Sequence, residues 1–171
     1  MIKHVNGFSK NNFTCNYYEE ESIHKLSTKH MSDCLKVFHV NIESFNSKGN
    51  ELSAYLKCLK LKFDIICLTE IRSTSLSLIN KEFPDFNIFI DNPTIAKGGV
   101  ALLLRKNKFK QITEIDTDAN FNIKNKLAGT NCHIEHKWIS CKIDNQNIII
   151  GGIYRHPHRN IDSFNNALNA H

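Results

Sequence analysis

Two short apolar runs with an amphipathic stretch between them constrain this chain most. Residues 35–42 read Leu-Lys-Val-Phe-His-Val-Asn-Ile, and residues 64–69 read Asp-Ile-Ile-Cys-Leu-Thr. Both have the length and the β-branched content of buried strands. Between them, Leu52, Leu56 and Leu59 recur at helical spacing with Tyr55 beside them, which predicts an amphipathic helix over residues 51–62. Residues 44–50 hold Gly, Asn and Ser and read as a loop. Strand, helix and strand of these lengths make a β-α-β unit, with parallel strands and a right-handed crossover.

Further strands are expected over residues 86–90, 100–104, 137–143 and 147–154. Gly98-Gly99 opens one of them, and Asp144-Asn145 forms a tight turn between two others. Residues 161–170 read as a helix with Asn160 or Asp162 near its cap. The polar stretch 107–130 matches no element. Residues 1–33 form a polar leader, partly disordered, with a short helix over residues 17–26, and residues 34–171 carry the fold. The class is α/β with a mixed sheet.

Composition narrows the setting. A chain of 171 residues, 41% hydrophobic, can bury a core without covalent staples. A net charge of +5 leans toward an anionic partner such as nucleic acid. Cys15, Cys34, Cys58, Cys67, Cys132 and Cys141 include no Cys-x-x-Cys pair, and Cys58 and Cys67 lie in apolar runs. They read as reduced thiols in a nuclear or cytoplasmic protein. No apolar run reaches membrane-spanning length, and the N-terminus has no hydrophobic signal core, so the reading is neither secreted nor membrane-bound.

Two polar residues stand at strand ends. Asn41 closes the first strand, and Glu70 follows the second directly. In α/β sheets the carboxyl ends of strands face ligand crevices. By position alone Asn41 reads more readily as the start of a turn. Glu70 reads equally as a ligand for a hard cation such as Mg²⁺ or as a capping carboxylate touching Arg72. Glu43 would share a face with Asn41 if the strand continued. Cys132, His133 and His136 cluster without a standard zinc spacing. His156 and His158 read as surface residues. The basic run from Arg105 to Lys110 reads as a solvated hairpin end rather than a phosphate contact.

A resemblance sharpens these readings. Asn41-Ile42-Glu43-Ser44, Asn50-Glu51-Leu52 and the run from Phe63 to Glu70 resemble the opening motifs of the endonuclease/exonuclease/phosphatase superfamily. Gly98-Gly99-Val100-Ala101, Glu135-His136-Lys137-Trp138-Ile139 and the run Gly151 to Pro157 resemble later ones, in order. The wording is most similar to the N-terminal part of non-LTR (LINE/jockey-type) retrotransposon endonuclease domains.

The resemblance implies a four-layer α/β/β/α sandwich, incomplete here, and a Mg²⁺-dependent DNA endonuclease with Mn²⁺ as the alternative metal. It implies Glu70 as metal ligand with Glu43 beside it. Asn41 and Tyr154 would act on the scissile phosphate, and Arg155 would contact the DNA backbone. In the full protein the nicked DNA would serve a reverse transcriptase. The family's Gly-Asp-x-Asn and Ser-Asp-His motifs do not occur in this sequence. The chain therefore reads as a catalytically incomplete fragment; the alternative is a domesticated module that binds nucleic acid or protein without cleaving. Apolar strands such as the one through Ile148, Ile149 and Ile150 imply burial between layers. The resemblance covers mainly one sheet, so an open apolar face and self-association are expected.

Overall fold

The computed structural model describes residues 34–59, 61–93, 97–115 and 134–157, with 161, 162 and 165. The leader 1–33 with its expected helix lies outside these residues. Residues 161, 162 and 165 are helical, and the rest of the helix expected over 161–170 lies outside them as well.

In chain order the elements are β1 (Val37–Asn41), α1 (Phe45–Cys58), β2 (Ile65–Thr69), α2 (Leu76–Glu82) and β3 (Phe86–Asp91). They continue as β4 (Val100–Arg105), β5 (Lys110–Glu114), β6 (Ile134–Ile143) and β7 (Gln146–Arg155). The first sheet has the order β1-β2-β4-β3. Its β1 and β2 are parallel, as the β-α-β pattern requires, and β4 runs antiparallel to both neighbours. The second sheet is the antiparallel set β5-β6-β7.

Alternation along β2 and β4 explains the layering. Successive side chains of a strand point to opposite faces. Ile66, Leu68, Ala101 and Leu103 point to one face, where they join Phe45, Leu56, Leu59, Ile79 and Phe83 of the helices and their ends. Ile65, Cys67, Leu102 and Leu104 point to the other face and meet Phe109, Ile139 and Cys141 of the second sheet and its approach. Every residue of β2 is buried, as expected of a strand covered on both sides.

The second core corrects an expectation. The apolar face of the first sheet is not open, because β6 and β7 cover it. Ile148 and Ile150 pack into that core, while Ile149 between them is 66% exposed. The isoleucine run alternates across its sheet rather than being buried on both faces.

Three local differences have physical causes. The loop expected over 44–50 is the first part of α1. Phe45 is 1% exposed, and a Cβ at Gly49 would collide with its ring at 2.6 Å. Burying that ring outweighs the roughly 1 kcal/mol that glycine costs inside a helix. At its other end, α1 stops at Cys58 rather than running to residue 62. The backbone N–H groups of Asp64 and Ile65 instead donate to Lys36 O, and the Asp64 carboxylate accepts from Lys36 N at 2.9 Å. Neither α2 nor β5 was expected. The seven-residue α2 rests on Ser75, whose hydroxyl accepts from Leu78 N at 3.2 Å. An edge strand of sequence Lys-Gln-Ile-Thr-Glu, β5 exposes most of its side chains and owes its form to pairing with β6. The Asp144-Asn145 turn is as expected, with φ of +47° and +65° at its two residues.

None of the four described cysteines, Cys34, Cys58, Cys67 and Cys141, is in a disulfide. Burial pushes the Cys67 thiol up to about 11 and raises that of Cys141. Since the thiolate is the nucleophile, iodoacetamide at pH 8 should alkylate exposed Cys34 and Cys58 well before Cys67 and Cys141. Peptide mapping by mass spectrometry reads this, and equal labelling of all four in the folded chain would contradict the packing. No helix among the described residues is long and apolar enough to cross a membrane.

Candidate active site

Parallel pairing builds the site. In the β1–β2 register Asn41 faces Thr69, so Asn41 and Glu70 emerge at the same carboxyl edge of the first sheet. Tyr154 comes from β7 in the second sheet. Asn41 Nδ2 donates to Glu70 Oε1 at 2.7 Å, and the Tyr154 hydroxyl donates to the same oxygen at 2.9 Å. Three strands from two sheets thus converge on one carboxylate oxygen. Among the described residues, Glu70 Oε2 accepts no hydrogen bond.

The backbone at Glu70 is unusual. Its φ is +54°, in the left-handed region that a non-glycine residue occupies only when its surroundings impose it. Those surroundings are visible on both sides. Ile42 N donates to Thr69 O at 3.0 Å, and Phe45 N to Ile71 O at 2.9 Å. Arg72 N donates to Gly98 O at 2.8 Å, and Ile71 N to Gly99 O at 3.4 Å. The end of β2 is therefore pinned between the start of α1 and the Gly98-Gly99 turn.

Burial pushes the Tyr154 phenol up to about 12, and the hydrogen bond to Glu70 adds to the rise. The hydroxyl therefore remains a protonated donor throughout the neutral range. Glu43 lies beyond the end of β1 with φ of +62°. Its backbone N–H donates to Asn41 Oδ1 at 3.2 Å, which holds the Asn41 amide in the orientation that reaches Glu70. Its carboxylate pairs with Lys48 at 2.7 Å and with Arg72 at 3.9 Å. The Lys48 hydrogen bond and charge, followed by Arg72, hold that carboxyl below the usual carboxylate range. Arg72 therefore touches Glu43, not Glu70. Arg155 donates through Nη1 to the carbonyls of His156 and Pro157, at 3.2 and 3.5 Å.

Other sequence candidates fall elsewhere. Arg105 stacks on Phe86 with its guanidinium carbon 4.6 Å from the ring centroid, and Lys106 Nζ donates to Pro84 O at 2.6 Å. Both lie at the amino end of β2, since Leu104 pairs with Ile65, and so at the opposite edge from Glu70. Cys132 and His133 lie outside the described residues. Among the described residues, no three or more His, Cys, Asp or Glu side chains are grouped to hold a metal ion. His156, read as a surface residue, is buried at 8% exposure and meets the Glu135 carboxylate at 3.3 Å. Sequence reasoning also gave no role to Lys48. Its position one turn into a helix expected to begin later hid its approach to Glu43.

No protein-family model matches the sequence, and no curated protein matches it significantly. Solved structures do match in fold. The D. rerio TDP2 complexed with a single-strand DNA product superposes with a TM-score of 0.57 at 14% identity, covering 80% of this chain and 52% of that one. The endonuclease domain of TRAS1, a telomere-specific non-LTR retrotransposon, gives 0.53 at 13% identity, covering 79% and 52%. TDP2 from C. elegans gives 0.53 at 15% identity, covering 82% and 44%. The chain thus spans about half the length of these structures. Two sheets packed face to face, with helices over the first, are the architecture it shares with them. The chain carries a mixed α/β fold of the endonuclease/exonuclease/phosphatase type, and its similarity extends to a non-LTR retrotransposon endonuclease domain.

Proposed function

We propose that this chain supplies the metal-holding side of a Mg²⁺-dependent phosphodiesterase site acting on DNA, of the kind carried by non-LTR retrotransposon endonucleases. The observation that carries this reading is the convergence of Asn41 and Tyr154 on Glu70 Oε1, which leaves Oε2 uncommitted among the described residues. Mg²⁺ takes one or two carboxylates and keeps several waters. A single carboxylate with one uncommitted oxygen fits that demand, with Mn²⁺ as the alternative metal. When bound, the ion would neutralise charge developing on a phosphoryl group.

The side chains divide the remaining work. Asn41 and Tyr154 fix the Glu70 carboxylate by occupying one of its oxygens. Asn41 Nδ2 has a second N–H to offer a phosphate oxygen. Tyr154 has a single O–H, already given to Glu70, and must exchange partners to reach a phosphate. Lys48 and Arg72 offset the charge of Glu43, so the rim does not repel a polyanion. Arg155, beside Tyr154, would add positive charge toward the backbone. The TDP2 complex with single-strand DNA product and the TRAS1 endonuclease domain support DNA as the substrate class. In this reading the nicked strand is passed to a reverse transcriptase in the full protein.

Because the sequence has neither Gly-Asp-x-Asn nor Ser-Asp-His, the reading assigns metal and phosphate binding to these 171 residues, and cleavage to the site once completed. The test pairs fluorescence anisotropy on a single-stranded oligonucleotide with a supercoiled-plasmid nicking assay. The expected result is DNA binding that Mg²⁺ strengthens and EDTA reverses, without nicking. Robust Mg²⁺-dependent nicking by this chain would overturn the claim of incompleteness. Binding indifferent to EDTA would favour the non-catalytic module, and no binding would remove DNA as the partner.

A further inference from the structure

Glu135 is a buried carboxylate without a role in the reading above. Its side chain is 7% exposed, and that of His156 beside it is 10% exposed. Burying a carboxylate is costly unless fixed partners replace its water. The partners here are specific. Glu135 Oε2 accepts from Gly99 N at 2.5 Å, and Oε1 meets His156 Nε2 at 3.3 Å. A Cβ at Gly98, where φ is +107°, would fall on the same carboxylate. Glycine at this position is what lets Glu135 approach.

Two stretches singled out in the sequence, Gly98-Gly99 and the one opening at Glu135, thus meet in a single contact between the sheets. The Gly98 and Gly99 carbonyls accept from Arg72 and Ile71, the two residues after Glu70. On the other side, Glu135 pairs with Tyr154 in the β6–β7 register, and the His156 ring packs edge-on against Tyr154 with centroids 4.9 Å apart. One carboxylate therefore touches the turn that pins Glu70 and the strand pair that presents Tyr154. A second inter-sheet tie lies next to it, where His136 N donates to Asp91 Oδ2 at 3.2 Å.

We propose that Glu135 is a positioning residue: joined to Gly99 on one side and His156 on the other, it sets the second sheet against the first so that Tyr154 reaches Glu70. It acts through those two residues. The inference rests on the assignment of Glu70 and Tyr154 to the site, and its main readout needs neither metal nor cleavage.

The experiment follows the Tyr154 hydrogen bond by NMR in chain labelled with ¹³C at tyrosine Cζ, at one fixed neutral pH. Tyr154→Phe assigns the signal, and Glu70→Ala gives its position when the bond is lost. Glu135→Ala should move the signal to the Glu70→Ala position while circular dichroism still shows a cooperative melt. Glu135→Gln, which can still accept from Gly99, should restore it. Mn²⁺ affinity, read by electron paramagnetic resonance, should fall roughly tenfold in Glu135→Ala and recover in Glu135→Gln. An unmoved Tyr154 signal in folded Glu135→Ala would overturn the proposal and leave Glu135 a merely structural tie. If Glu135→Ala gives no cooperative melt, His156→Ala keeps the Gly99 bond and should move the signal part of the way; no movement there overturns the proposal equally. If the unaltered chain binds no Mn²⁺, the metal-holding reading fails while the tyrosine signal still decides the positioning role.

Discussion

Glu70→Ala should weaken Mn²⁺ binding by at least about a hundredfold, because even partners one step removed from a metal cost 10- to 100-fold when lost. Glu70 is the one carboxylate that Asn41 and Tyr154 both orient, and Glu43 is committed to Lys48 at 2.7 Å. The fold should persist at reduced stability. The removed side chain is half-exposed and belongs to neither core cluster. It takes away two hydrogen bonds to a carboxylate, one of them from the buried Tyr154 hydroxyl, at a cost of about 1.5–3 kcal/mol each. Titration with Mn²⁺ followed by electron paramagnetic resonance, alongside a thermal melt, separates the two effects. Retained binding in Glu70→Ala would move the metal assignment elsewhere, with Glu43 the next candidate. Asn41→Ala should show the milder form of the same loss, since Tyr154 alone would still hold Glu70.

Leu102→Ala should cost about 3 kcal/mol of stability, within the range for truncating a buried leucine. Leu102 is 1% exposed and sits in the core between the two sheets with Cys67, Ile139 and Cys141. A Cβ at Gly152 would lie 3.2 Å from its Cδ2, so Leu102 already abuts the β7 backbone. Alanine leaves a cavity that β-sheet backbone cannot close. For a chain of this size the melting temperature should fall by roughly 10 °C. Leu76→Ala serves as the control. That leucine is 55% exposed and should shift stability by no more than about 0.5 kcal/mol. A Leu102→Ala melt indistinguishable from the control would show that the sheets do not pack as described. The same packing predicts that the site depends on this core, since Tyr154 reaches Glu70 only while the sheets stay in contact.

Much of this was legible in local pattern. The β-α-β unit could be read because β2 is apolar throughout and α1 repeats leucine at helical spacing, and both signals survive without tertiary context. Parallel pairing of β1 and β2 follows from the connecting helix, and it alone places Asn41 beside Glu70. The Asp144-Asn145 turn was readable because those residue types tolerate positive φ. What escaped was everything whose cause lies outside its own segment. The helical start at Phe45 depends on burial under the first sheet, against the local advice of Gly49 and Asn50. As an edge strand, β5 takes its form from β6. His156 looks like a loop residue until Glu135 is seen to cover it.

The candidate site divides the same way. The sequence by itself determined that Asn41 and Glu70 share one edge of a buried sheet, because strand periodicity and chain connectivity are local and short-range. It also supplied the resemblance that names Tyr154. Only the tertiary structure decided that Tyr154 and Asn41 meet on a single oxygen of Glu70, that Glu43 is tied to Lys48 and Arg72, and that Glu135 joins the Gly98-Gly99 turn to the second sheet. These contacts bridge residues up to 84 positions apart. No periodicity encodes such a separation; it is set by how two sheets pack side chains across a shared core.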